Sequence, residues 1–476
     1  MMEEKYTYSV ISYLDMRGDL SFETDPFNTV DNLLFSQLSY IDMTGIIGAQ
    51  TGSGVSLPEA VGRFFELHNG EELHLGAFIP DTYFEMLKKI GACPRFRDVR
   101  LTAYRYTLKE QNAGKEKVQW TAETVLIDDR TMYISFAGTD DTLISWKEDL
   151  DMAVSEIVPS QEEASQYVKE VLGAFPGYDR VMIGGHSKGG NLAVYSAAVL
   201  PKEDRARVIR VFNNDGPGFT KAFLSGEGYR EIKDRIVFLV PEYTVVGLML
   251  ETDLEPIVVR STGKGAMQHD TFTWRVRGNR LDQAPGILKD ALLLHETTVK
   301  WLEALSEEEK SAFIESFYNY LTGCEARTLT DLTEDTTWLL SSYRKIRPEE
   351  RKALRETLRK YVRCRREVMK EYAEADKKEK EERKAAEAEK ENAGRAPEEG
   401  TKRTEKDAPD VSPRLSAASG DAGAKTPQNE EDGGREGGAE RLFRLFKKEE
   451  PKPILHLDGA ELFDSKPIQK KKRKKP

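Results

Sequence analysis

The chain has 476 residues and a formal charge of −11, with 32% charged against 39% hydrophobic residues. That average is more polar than an ordinary globular domain, and its acidity argues against a body that binds nucleic acid generally. No apolar run approaches the ~18 residues of a membrane-spanning helix, and Met1 to Lys5 shows no basic-then-apolar leader. Cys93, Cys324 and Cys364 lie far apart and match no metal-binding spacing. Reduced thiols and a cytoplasmic setting are therefore expected.

The N-terminal part reads as helical. Val30, Leu33, Leu34, Leu38 and Ile41 recur at three- and four-residue spacing, which predicts an amphipathic helix. Residues 58–68 and 80–90 read as two more, each opened by a proline, and 48–54 is a small-residue loop. From Arg100 the period changes to that of strands. Residues 102–108 and 121–127 are expected strands, and Asp128-Asp129-Arg130 turns the chain into another at 132–136. Strand and helix then alternate: helix 161–175, strand 181–183, helix 189–200, then strands at 208–212, 236–240, 257–259 and 271–276. This alternation predicts an α/β architecture with a mostly parallel central sheet flanked by helices.

Helices between Gly286 and Tyr343 close the body, and Pro348 opens a charged helix running to about Asn392 whose apolar positions fade after Tyr372. Between Asp376 and Glu440 there is no aromatic, and Val411 and Leu415 are the only Val, Ile, Leu or Met. So little apolar surface does not offset ordering entropy, and a disordered extension is expected. The resulting division is 1–345 body, 346–393 charged helix and 394–476 tail.

The segment Val181-Met182-Ile183-Gly184-Gly185-His186-Ser187-Lys188-Gly189-Gly190 sets Gly-x-Ser-x-Gly between an apolar strand and an apolar helix. A nucleophile on so sharp a turn needs small neighbours two residues to either side, here Gly185 and Gly189. At a helix N-terminus Ser187 also gains from unpaired amides and the helix dipole. The plainer alternative is a tight strand–helix turn with no chemistry.

A serine nucleophile needs a base, and six histidines make the search short: His68, His74, His186, His269, His295 and His456. In the chain order of α/β-hydrolases the histidine follows serine and acid, leaving His269, His295 and His456. His456 lies beyond the expected disorder and His295 within a helical apolar run. His269, on a loop between two expected strands, is the candidate general base. His186 is expected to pin the turn by hydrogen bonding. Two carboxylates stay open as the acid that orients the imidazole. Asp215 follows the strand after the nucleophile helix and is preferred, because the turn at Gly216-Pro217-Gly218 directs its short side chain; it is equally an ordinary turn residue. Glu242 follows the next strand, the more usual acid position, and Asp253 is a weaker candidate. The oxyanion hole would take the Lys188 amide directly after the nucleophile. Its second donor would be Thr139, at the end of Ile134-Ser135-Phe136-Ala137-Gly138, although Gly138-Thr139-Asp140-Asp141 alone reads as a polar turn.

Taken together, Phe136 to Asp140, Trp146, Asp149 and Gly185 to Ala193 resemble the fungal-type class-three lipase pattern. They resemble more closely an uncharacterised bacterial α/β-hydrolase family, a domain of unknown function. Its further cues are Asp25-Pro26-Phe27-Asn28, Trp146-Lys147-Glu148-Asp149, Asp215 to Phe219 and Gln268-His269-Asp270, so the resemblance spans residues 13–277. It implies an α/β-hydrolase fold, with Ser187, His269 and Thr139 in the roles above. Two departures stand out: lipases often carry Arg at the position of Ala137 and an apolar residue at that of Lys188. The Lys188 side chain is expected to add a cation beside the nucleophile, so a triglyceride preference does not follow.

The leading expectation is a serine hydrolase of a small-molecule or lipid acyl ester, working through a covalent acyl-enzyme without metal or organic cofactor. A catalytically idle hydrolase fold that binds a ligand or partner is the alternative. Leu442 to Lys448 and the basic run 470–475 make the tail a candidate for peripheral contact with anionic membrane, against the plain reading of a solvated tail.

Overall fold

The computed structural model describes residues 9–69, 82–111, 116–139, 152, 157–322 and 338–393. Among the described residues eight strands form one sheet in strict chain order: β1 (Val55–Ser56), β2 (Arg100–Gln111), β3 (Glu116–Leu126), β4 (Thr131–Phe136), β5 (Arg180–His186), β6 (Val208–Asn214), β7 (Ile236–Pro241) and β8 (Ile257–Val259). The pairs from β1 to β4 are antiparallel and those from β4 to β8 parallel. The sheet is thus mixed, and its parallel part carries the second half of the strands.

Adjacent parallel strands in chain order are joined by crossovers of one hand, which bring the described connecting helices to the same face. On that face Ala164, Val168 and Leu172 of α5 (Pro159–Ala174) and Leu192, Ala193 and Ala197 of α6 (Lys188–Ala198) pack on Ile134, Phe136, Val181, Ile183 and Val211. The opposite face, with Tyr133, Met182, Phe212, Val237 and Leu239, is covered by the N-terminal helices α1 (Val10–Arg17), α2 (Thr29–Leu38), α3 (Leu57–Leu67) and α4 (Thr82–Ala92). The sequence pattern did not mark α1, whose first turn is held by the Ser9 hydroxyl accepting from the Ser12 amide.

α2 departs from the amphipathic expectation, because all ten of its residues are buried. Its polar positions bond to their surroundings instead of to water. Asp31 accepts from the Asn28 amide in a capping box, from the Tyr13 hydroxyl and from two nitrogens of Arg95. Arg95 also donates to the carbonyls of Leu20 and Asp25 and lies 4.2 Å from the Phe22 ring centre. Asn32 and Ser36 bond to Tyr133 and Asn214 of the sheet.

One expected strand is replaced. Within 271–276 the chain forms a 3₁₀ turn at Thr271–Thr273, because the Asp270 carboxylate takes the Phe272 amide, and then only the two-residue strand Val276–Arg277. Farther on come helices Lys289–Glu303, Glu307–Thr322, Trp338–Lys345 and Pro348–Ala393. The described residues divide into two units between Val368 and Met369. In the first, Trp301 donates to the Thr357 carbonyl, Lys360 pairs with Glu309, and Cys364 and Val368 are buried. In the second, residues 369–393 continue as charged helix with i,i+4 pairs such as Lys370–Glu374. Cys93 and Cys364 are free thiols. Cys324, His74, His456, Leu442 to Lys448 and the tail 394–476 lie outside the described residues.

Glu123 on β3 is fully buried, and neither carboxyl oxygen has a hydrogen-bond partner among the described residues. Burial pushes its carboxyl up to about 8. The folded chain therefore holds this proton after the unfolded chain has released it, so stability falls as pH rises from the usual carboxylate range toward 8. Thermal unfolding of Glu123→Gln should match wild type near about pH 5 and exceed it increasingly toward about pH 8. A constant difference across that range would refute the assignment.

Candidate active site

The strand β5 and helix α6 meet at Ser187, whose backbone sits at φ 57°, ψ −134°. Among the described residues four non-glycines have positive φ, and two of them, Ser187 and Asp215, lie in this region. Such strain persists where the surroundings over-determine it, and it concentrates at functional sites. Here the surroundings are backbone. A Cβ on Gly185 would lie 2.4 Å from the Gly189 carbonyl carbon and 2.5 Å from the Phe136 oxygen; one on Gly189 would lie 2.2 Å from that oxygen. The two glycines thus let the end of β4 pass directly beneath the turn. Ser187 makes no side-chain capping bond to α6, so its hydroxyl is not spent on its own helix.

Asp215 follows β6, and its amide donates to the Leu239 carbonyl of β7 at 2.7 Å. Its carboxylate is wholly buried. Oδ1 accepts from the Thr244 hydroxyl and, at 3.2 Å, from the Gly247 amide, which leaves Oδ2 to His269 Nδ1 at 2.6 Å. The Ser187 amide donates to the Asn214 carbonyl at 3.0 Å, tying the serine turn to the residue before Asp215. His269 closes the 3₁₀ turn Gly265–His269 after β8, with its side chain 31% exposed. Its loop is anchored by Trp274 Nε1 donating to the Gln268 carbonyl and by the Tyr243 amide donating to the Gln268 side chain. His269 and the buried Asp215 carboxylate thus meet one residue beyond the Asn214 carbonyl that receives the Ser187 amide, at the carboxyl end of β6, the end of a parallel sheet where α/β folds bind their ligands.

Glu242 stands elsewhere. Its carboxylate is 3.7 Å from Arg260, and its backbone bridges Val259 and Leu288. Burial raises its pKa, with Arg260 and Arg275 opposing that rise. Asp253 pairs with Lys233 and the Tyr229 hydroxyl. Of the three acids considered, Asp215 is the one hydrogen-bonded to His269.

Lys188 corrects an expectation. Its side chain is 1% exposed, and Nζ donates to the Gln119 carbonyl and side-chain oxygens at 2.9 and 3.0 Å. The ammonium runs into the body toward β3 and is not offered to a substrate over Ser187. Its amide opens α6, where the first N–H groups have no intrahelical partner. Gly138 passes close by: a Cβ there would meet the Tyr40 hydroxyl at 2.3 Å, the His186 oxygen at 2.7 Å and Ser187 Cβ at 2.8 Å. Thr139 is the next residue and half-buried. Asp140, Asp141 and Trp146 to Asp149 lie outside the described residues. His186 is held by the Tyr40 hydroxyl and the His269 carbonyl. Tyr40 carried no sequence signal, since a lone tyrosine after an apolar helix is ordinary core.

Gly185→Ala should cost about 1–3 kcal/mol through overpacking against backbone, read as a lowered midpoint in thermal unfolding; an unchanged midpoint would refute the close approach.

Among curated proteins nothing matches the chain. A solved structure described as the crystal structure of M37 lipase is similar at 13% identity and a TM-score of 0.27, over 45% of this chain and 68% of that one. The Mbeg1-like family model matches residues 90–319, a span that leaves out the cue Asp25-Pro26-Phe27-Asn28. Thr139, Ser187, Lys188, Asp215, Glu242 and His269 all fall inside it, and it is the Mbeg1-like family that this segment of the chain matches.

Proposed function

We propose that the protein is a serine hydrolase of carboxylic esters on an α/β-hydrolase fold, with Ser187 as nucleophile, His269 as general base and Asp215 as acid. The observation that carries this reading is the buried Asp215 bonded to His269 Nδ1 at 2.6 Å beside a serine held at positive φ on a strand–helix turn. With Nδ1 committed to Asp215, Nε2 is the nitrogen free to take the serine proton. Ser187 Oγ attacks the acyl carbonyl and its proton passes to Nε2. The imidazolium then protonates the departing alkoxide, and water activated by the same nitrogen releases the acid. The carboxylate of Asp215, bonded at both oxygens, stabilises the imidazolium without taking its proton. The Lys188 amide and Thr139 would receive the developing oxyanion. The Mbeg1-like match supports the class, and the acyl group stays general.

A fluorophosphonate probe should label wild type and spare Ser187→Ala. Asp215→Asn should retain the fold and lower kcat for a p-nitrophenyl ester by about 10³- to 10⁴-fold, while Glu242→Gln leaves it within about threefold. Absence of labelling in wild type would favour an idle, ligand-binding hydrolase fold.

A further inference from the structure

One imidazole outside the three reacting groups touches the base. His186 is buried, and its Nε2 lies 2.9 Å from the main-chain oxygen of His269. A carbonyl oxygen can only accept, so Nε2 carries the proton and Nδ1 is an acceptor. The Tyr40 hydroxyl stands 3.0 Å from Nδ1 and donates to it. The His186 and His269 rings also face one another, with centroids 4.5 Å apart and planes at 36°. Burial, and after it the neighbouring His269, holds His186 well below the usual imidazole range, which keeps it neutral and the direction of both bonds fixed.

Tyr40 is itself located by packing. Its ring meets Tyr83 edge-on at 5.8 Å, and Tyr83 meets Phe272 edge-on at 4.8 Å. The Tyr83 hydroxyl donates to Gln37 of α2. The Tyr40 hydroxyl is thus set by the covering helices, which pack on the opposite face of the sheet from α6.

We propose that Tyr40 and His186 are positioning residues for the base: Tyr40 O–H donates to His186 Nδ1, and His186 Nε2–H donates to the His269 carbonyl. His186 is covalently joined to Ser187, so this bond sets the spacing of nucleophile and base across a single residue. Asp215 directs the His269 ring; the relay holds its main chain, on a turn that includes Gly265 at φ 55° and the exposed Met267. Errors of about 1 Å in such spacing cost about 10²-fold in rate. The proposal rests on Ser187 and His269 being nucleophile and base.

The test compares the full chain with His186→Leu, His186→Gln and Tyr40→Phe. It reads fluorophosphonate labelling rate, kcat and KM for a p-nitrophenyl ester, and ¹⁵N-histidine spectra. His186→Leu and Tyr40→Phe should slow labelling and lower kcat by about 10- to 100-fold, with KM within about twofold. His186→Gln, whose side-chain amide restores the donor, should recover most of the loss. In the spectra, the histidine signal absent from His186→Gln should show the neutral Nε2–H tautomer in wild type and change in Tyr40→Phe. Labelling at the wild-type rate in both His186→Leu and Tyr40→Phe, or an Nδ1–H tautomer in wild type, overturns the relay alone. A wild type that does not label overturns the hydrolase reading and the relay with it. If His186→Leu does not fold, Tyr40→Phe decides alone, since it keeps the aromatic ring.

Discussion

Strand order along the sheet is the constraint on which the rest depends. Parallel strands that neighbour each other in chain order receive their helices on one face, because the crossover hand is fixed. The face bearing Tyr133, Met182, Phe212, Val237 and Leu239 would stay open without α1 to α4. Asp31 of α2 is tied to Arg95, in the turn just after α4, by a buried pair 2.6 Å apart with both side chains shielded from solvent. Such a pair adds little over an apolar equivalent, yet losing one partner strands a buried charge at a cost of about 3–5 kcal/mol. Its further bonds to Asn28, Tyr13 and the carbonyls of Leu20, Asp25 and Pro26 explain why polar residues cluster in a segment with no solvent face.

The same covering helices reach the site. Asn32 and Ser36 bond the Asn214 side chain, while the Asn214 carbonyl receives the Ser187 amide and Asp215 follows directly. Two strained residues, Ser187 and Asp215, are therefore flanked by a polar network anchored on the opposite face of the sheet. Backbone in these conformations costs about 1–3 kcal/mol per residue; the close passage of Phe136, Gly185 and Gly189 holds Ser187, and the bond from the Asp215 amide to the Leu239 carbonyl holds Asp215.

Much of this was legible in the sequence, for physical reasons that differ by element. Period-two and period-3.6 patterns report which side of an element is buried, and the strands and the two long helices between Arg100 and Pro241 follow them closely, while the short helices Lys202–Arg207, Lys221–Leu224 and Glu227–Ile232 left no such pattern. They failed where burial is two-sided or bonding is local. α2 reads as amphipathic but is buried all round because its polar groups have partners in the sheet. Residues 271–276 read as a strand but turn, because one carboxylate, Asp270, captures an amide two residues on. The eight-residue α1 carries too short a pattern to register.

For the candidate site, residue type and spacing pointed to Gly185-His186-Ser187-Lys188-Gly189 as a nucleophile turn, since a sharp strand–helix turn tolerates few alternatives, and to His269 among six histidines as the candidate base. They left Asp215 and Glu242 open, because both follow a strand and neither position says where a carboxylate points. The tertiary structure set those directions: the turn at Asp215 aims one oxygen at His269, while Glu242 faces Arg260. It also turned Lys188 into the body and brought Tyr40, 146 residues before His186, within hydrogen-bond distance of it. Periodicity and motif are local properties of a chain, written in consecutive residues. The direction of a side chain and the partner it meets depend on segments far apart in sequence, and only folding brings those together.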